Sequence, residues 1–187
     1  MTTARKLLTA DDLLAIPCGD GYRHELVRGE LVTTPPPGFM RSLVTGNFGF
    51  RITGFLHQND LPYVGGPEAS AYIEQNPDTV RAADYAIYSR QHLIAPPPES
   101  GYVPGLVPVL AVEVISPGYR SAAAIAERVR MWQEAGVYLV VVAHIATHEI
   151  VTHRSDGTER TFTVGDTLTL EPVLPGFTCP VADIFAV

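Results

Sequence analysis

Between residues 107 and 143 the sequence runs from an apolar strand-like segment through a helical one into a second apolar strand. This order constrains the fold more than any other feature. Val107-Pro108-Val109-Leu110-Ala111-Val112-Glu113-Val114-Ile115 is apolar at nearly every position, the pattern of a central strand covered on both faces. Ser116-Pro117-Gly118 breaks it. From Arg120 to Ala135, Ile125, Val129 and Trp132 share one helical face while Glu127, Arg130 and Glu134 take the opposite one. Gly136 ends that helix, and Val137 to Ala143 reads as a second buried strand. Strand, helix and strand in that order imply a parallel pair joined by a right-handed crossover.

The rest of the chain adds elements around this unit. Thr9 and Asp12 form a capping pair that opens a short helix through Leu13, Leu14 and Ile16, stopped by Pro17. His24 to Val32 has two strand-like runs around Arg28-Gly29, a hairpin pattern. From Phe39 to about Gln58, apolar residues recur at near-helical spacing despite Gly46, Gly49 and Gly54, which predicts a helix. Short strands are expected near Tyr63, from Ala69 to Ile73 and from Val80 to Tyr88, and Pro96 to Gly105 reads as an exposed loop. In the tail, Glu149 to His153, Arg160 to Val164 and Thr167 to Leu170 alternate around Asp156-Gly157 and Gly165-Asp166, as antiparallel hairpins do. The expectation is one α/β (α+β) domain of 187 residues, a mixed sheet flanked by helices with antiparallel hairpins at both ends.

Thirteen basic residues against 20 acidic ones give a formal charge of −7, which excludes polyanion binding by general surface charge. Lys6 is the only lysine, so no interior lysine is available for catalysis. The apolar stretches fall far short of the ~20 residues of a membrane helix. Asp11 and Asp12 interrupt the start of any leader segment, and a cytoplasmic protein is expected. Cys18 and Cys179 form no metal-binding or disulfide pattern.

Glu113 is the most informative polar position. An ionised carboxylate in a central apolar strand costs several kcal/mol unless a cation or donor offsets it. Asp84 sits likewise within Val80-Arg81-Ala82-Ala83-Asp84-Tyr85-Ala86-Ile87, and two carboxylates on neighbouring strands can form an oxygen-lined Mg²⁺ site. The bland alternative for each acid alone is an outward-facing side chain or an arginine partner. Glu25 adds a third acid on an early strand. Arg128 lies about 60° from Ile125 around the helix, so it either reaches over the sheet toward Glu113 or snorkels to solvent. His144, His148 and His153 fall on strand, turn and strand, where i, i+4 spacing does not share a face, so a histidine metal site is not expected. No serine elbow or phosphate-binding loop occurs.

Arg23-His24-Glu25-Leu26-Val27-Arg28-Gly29-Glu30-Leu31-Val32, Ala83-Asp84, Glu113-Val114-Ile115-Ser116-Pro117, Glu127-Arg128-Val129-Arg130-Met131-Trp132, Ala135-Gly136-Val137 and Leu174-Pro175-Gly176-Phe177 stand in one order along the chain. As an ordered set they resemble the Uma2 family of restriction-endonuclease-like proteins with the PD-(D/E)xK nuclease fold. The resemblance implies a metal site of Glu25, Asp84 and Glu113 holding Mg²⁺ or Mn²⁺, with DNA as substrate. Three positions depart from the family pattern: Ala83 replaces the proline before the aspartate, Tyr119 replaces an acid, and Arg128 stands where the family carries its active-site lysine. A lysine can lose its proton in a buried site, whereas a guanidinium stays charged and can only orient water or stabilise charge.

The first expectation is therefore Mg²⁺-dependent hydrolysis of DNA phosphodiesters, with Glu25, Asp84, Glu113 and Arg128 as catalytic residues and activity impaired by Arg128. The alternative is a non-catalytic DNA- or protein-binding module on a nuclease scaffold. A remoter one is a hydrolase of small phosphate esters, suggested by the negative charge. A homodimer is expected from the symmetry of double-strand cutting.

Overall fold

The computed structural model describes residues 6–17, 19, 21–93, 99–118 and 121–187. Cys18, the Pro96-Pro97-Pro98 run, Tyr119 and Arg120, all named above, lie outside the described residues.

Local chemistry sets the first elements. Helix α1 (Ala10–Leu14) opens on the expected capping box: Asp12 N donates to Thr9 Oγ1 at 3.2 Å, and Thr9 N donates to Asp12 Oδ2 at 2.9 Å. Strands β1 (Arg23–Val27) and β2 (Glu30–Thr34) pair antiparallel around Arg28 and Gly29, which turn with φ of 50° and 77°. Gly29 is required there, because a Cβ would stand 2.7 Å from the Cβ of Leu7. Helix α2 (Phe39–Gln58) forms as expected despite its glycines, since Val44, Phe48, Ile52 and Leu56 give it a continuous buried face.

Twelve strands are described, in three sheets. A four-stranded sheet has the order β2-β1-β5-β4, with β4 (Ser70–Glu74) and β5 (Thr79–Ala82). A six-stranded sheet has the order β10-β9-β8-β7-β6-β3. Its members are β3 (Tyr63–Pro67), β6 (Tyr85–Ser89), β7 (Leu110–Ile115), β8 (Leu139–His144), β9 (Glu149–Arg154) and β10 (Glu159–Phe162). The expected parallel pair is β7 and β8, joined through α3 (Ala122–Glu134). The apolar strand lies inside this sheet, as its composition requires.

Two expectations are corrected. The run from Val80 to Tyr88 is not one strand: it breaks at Ala83-Asp84, sending β5 into the smaller sheet and β6 into the larger. Hydrophobicity cannot show this break, because the run is buried on both sides of it. The Gly165-Asp166 turn does not join a hairpin with β10 either. Strand β11 (Thr167–Leu170) pairs instead with β12 (Leu174–Pro180) in a separate two-stranded sheet, followed by α4 (Val181–Phe185).

Alternation on β7 builds two cores. Leu110, Val112 and Val114 face Val44, Phe48 and Ile52 of α2, while Ala111 and Ile115 face Val129 and Trp132 of α3. Glu113 falls in register with Ala111 and Ile115, on the α3 side.

Candidate functional site at the junction of the sheets

Where the chain crosses from β5 to β6, a cluster of buried charges fills the joint. Glu25, Glu113, Asp84 and Arg128 are 1%, 2%, 4% and 4% exposed. Isolated charges so deep would each cost several kcal/mol, so their partners decide what the site is.

Arg128 does not snorkel. Its Nε lies 2.6 Å from Glu113 Oε1, and its Nη2 lies 3.4 Å from Glu25 Oε1. Nη2 also donates to Ala82 O at 2.5 Å, while Glu25 Oε1 accepts from Ala82 N at 2.8 Å. The last residue of β5 thus has both backbone polar groups satisfied by side chains. Trp132, one turn beyond Arg128, donates its indole N–H to Glu113 Oε1 at 2.8 Å. Burial alone would lower the pKa of Arg128, but Glu113 and Glu25 reverse this and hold it above the ordinary guanidinium range. Burial would raise Glu25, yet Arg128, Arg81 and Arg23 bring its carboxyl below the usual value. Arg81 Nη1 stands 3.6 Å from Glu25 Oε2.

Asp84 is held from the other layer. Arg41 on α2 donates from Nη2 to Oδ1 at 2.6 Å and from Nε to Oδ2 at 3.2 Å, a side-on pair. Arg23 Nη1 reaches Oδ1 at 3.4 Å, and Val114 N donates to Oδ2 at 2.7 Å. Asp84 N donates to Val112 O at 3.0 Å, so Asp84 brackets Glu113 along β7.

The structure therefore brings Glu25, Glu113 and Arg128 into contact and places Asp84 beside Glu113 on the backbone, with a separate arginine partner. The sequence reading missed Arg41, Arg81 and Arg23. The signal for Arg41 was its place on the apolar stripe of α2, one and two turns before Val44 and Phe48. An arginine there must either be exposed or meet a buried acid. Of the three histidines weighed for a metal, the His148 ring stacks on Phe185 at 4.9 Å between centroids, and His153 Nδ1 lies 2.8 Å from Glu159 Oε1.

A divalent ion needs carboxylate oxygens with free lone pairs and negative charge to spare. Glu25 Oε2 and Glu113 Oε2 are buried without hydrogen-bond partners and meet the first condition. Asp84 does not, since four donors converge on its two oxygens. The second condition fails as well. Arg23, Arg41, Arg81 and Arg128 balance Glu25, Asp84, Glu113 and the half-exposed Glu68, which lies 4.0 Å from Arg23. A divalent ion some 4 Å from a guanidinium would be repelled by about 8 kcal/mol at an effective dielectric of about 20, with no surplus carboxylate to offset it. Among the described residues, no group of three or more His, Cys, Asp or Glu side chains is arranged to hold a metal. As arranged, the cluster does not fit Mg²⁺ or Mn²⁺; it is internally neutralised.

A mixed sheet with helices on its faces and acids gathered where strands diverge is a nuclease-type architecture. The crystal structure of a "putative nuclease belonging to DUF820" from Anabaena variabilis superposes with a TM-score of 0.76 over 95% of this chain and 97% of that one, at 14% identity, a likeness of fold. The Uma2 family model, described as "Putative restriction endonuclease", matches residues 10–182, and the chain belongs to that family. No curated protein matches. No helix among the described residues is long and apolar enough to cross a membrane.

Proposed function

We propose that this protein is a non-catalytic DNA-binding member of the nuclease family, in which the acid cluster serves as an arginine-linked structural joint. The observation that carries this reading is the contact of Arg128 with both Glu113 and Glu25, which puts a permanent cation between the two acids that would otherwise share a metal. A guanidinium cannot serve as a general base near neutral pH, so the lysine chemistry expected at this position is absent. DNA as partner follows from the family.

The Mg²⁺-dependent endonuclease remains the second reading, favoured by the two oxygens that accept no hydrogen bond, Glu25 Oε2 and Glu113 Oε2. Incubating purified protein with plasmid and linear DNA in Mg²⁺ or Mn²⁺, beside a gel-shift titration, separates the two. The binding module shifts DNA without cutting it, and Arg128→Lys is run in parallel to ask whether lysine restores cleavage. Metal-dependent cutting by the wild type, lost in Glu113→Gln, overturns the first reading. A homodimer is the oligomer to test by light scattering, with and without DNA.

A further inference from the structure

We infer that Arg41 is a built-in counter-cation for Asp84, and that it is the principal group keeping this aspartate from accepting a divalent metal ion. The inference deepens the metal-free reading above and rests on it for the chemistry of the joint.

A carboxylate offers about four lone-pair directions. Those of Asp84 are met by Arg41 Nη2, Arg41 Nε, Arg23 Nη1 and Val114 N, so Arg41 supplies half the donors and the shortest contact. Arg23 reaches Oδ1 only at 3.4 Å, and the Val114 amide occupies one side of Oδ2. Without Arg41, each oxygen would keep one weak or neutral donor and regain a position for a cation. Arg23 is the other cation on Asp84, but it makes one long contact to Oδ1 where Arg41 makes two, one to each oxygen.

Arg41 is also unable to swing aside as a surface arginine would. It is buried on the inward stripe of α2 with Val44 and Phe48, so its stem is packed. Asp84, by contrast, lines a cavity of about 420 Å³ between α2 and β3, bordered by Gly46, Gly49 and Glu68. An ion arriving through that cavity would meet the Arg41 guanidinium already bound to its ligand. The lock thus rests chiefly on this one buried side chain.

The test is Mn²⁺ binding, read by calorimetry and by the metal's paramagnetic resonance signal, on wild type, Arg41→Gln and Arg41→Gln/Asp84→Asn. Wild type is expected to bind no Mn²⁺ at about 1 mM. Arg41→Gln is expected to bind at least about tenfold more tightly, and the double variant to return to the wild-type result. A folded Arg41→Gln that gains no affinity overturns the inference, as does a gain that survives Asp84→Asn. If Arg41→Gln does not fold, Arg41→Met takes its place on the same criteria, and micromolar Mn²⁺ binding by the wild type that is lost in Asp84→Asn overturns the inference outright. Failure of the DNA-binding reading would appear separately, as no gel shift in a wild type that still excludes Mn²⁺.

Discussion

The indole N–H of Trp132 donates to Oε1 of Glu113 at 2.8 Å, and that same oxygen lies 2.6 Å from Nε of Arg128. Two residues one helical turn apart on α3 therefore clamp a single carboxylate oxygen of β7. The arrangement ties the helix to the sheet by polar contacts inside an apolar layer formed by Ala111, Ile115, Val129 and Val140. Low dielectric there strengthens each contact and makes the loss of any partner expensive.

Trp132→Phe keeps most of the packing and removes only the donor. Stability is expected to fall by about 1–3 kcal/mol, the range for a lost hydrogen bond to a buried charged acceptor. Urea unfolding of the two proteins measures it, and an unchanged midpoint would show that Glu113 does not depend on the indole.

Arg128 and Glu113 should behave as a coupled pair. Each single replacement, Arg128→Met or Glu113→Leu, strands a buried charge and is expected to cost about 3–5 kcal/mol. The double variant should lose less than the two singles combined, because no partner of this pair is left unmet. A double-mutant cycle by denaturant unfolding checks the coupling; strict additivity would contradict it.

Acid sensitivity follows from the carboxyls held low in the fold. Glu25 is lowered from its ordinary 4.5 by its arginines, against burial. Asp78 is lowered from 3.8 by backbone donors at Ala10 and Asn76 and by Tyr72, again against burial. A depressed folded pKa stabilises fully above the unfolded value and is lost as pH falls through the folded one. Stability should hold near neutral pH and decline as pH drops below 4.5, with a shallower decline in Glu25→Gln. Thermal melts across pH 3 to 7, roughly the span over which such carboxyls titrate, provide the check.

Gly29→Ala should destabilise by at least about 1 kcal/mol, since φ there is 77° and the new methyl would press on Leu7. A matched Gly165→Ala change, with open space around it and no positive φ, is expected to be nearly silent. Comparing the two melting temperatures tests whether the hairpin turn needs its glycine.

The sequence by itself determined the elements whose cause is local or periodic. The α1 capping box, the Arg28-Gly29 turn, the α2 stripe and the β7-α3-β8 crossover all come from contacts a few residues apart or from the alternation of apolar side chains. It also pointed to Glu113, because an acid in a wholly apolar strand requires a partner. Only the tertiary structure decided what that partner is. The break at Ala83-Asp84 leaves no hydrophobic trace, since both flanking strands are buried, yet it creates the joint that gathers the charges. Likewise, whether Asp84 meets a metal or Arg41, 43 positions away in the chain, depends on how α2 docks on the sheet, and no pattern within either segment encodes that meeting.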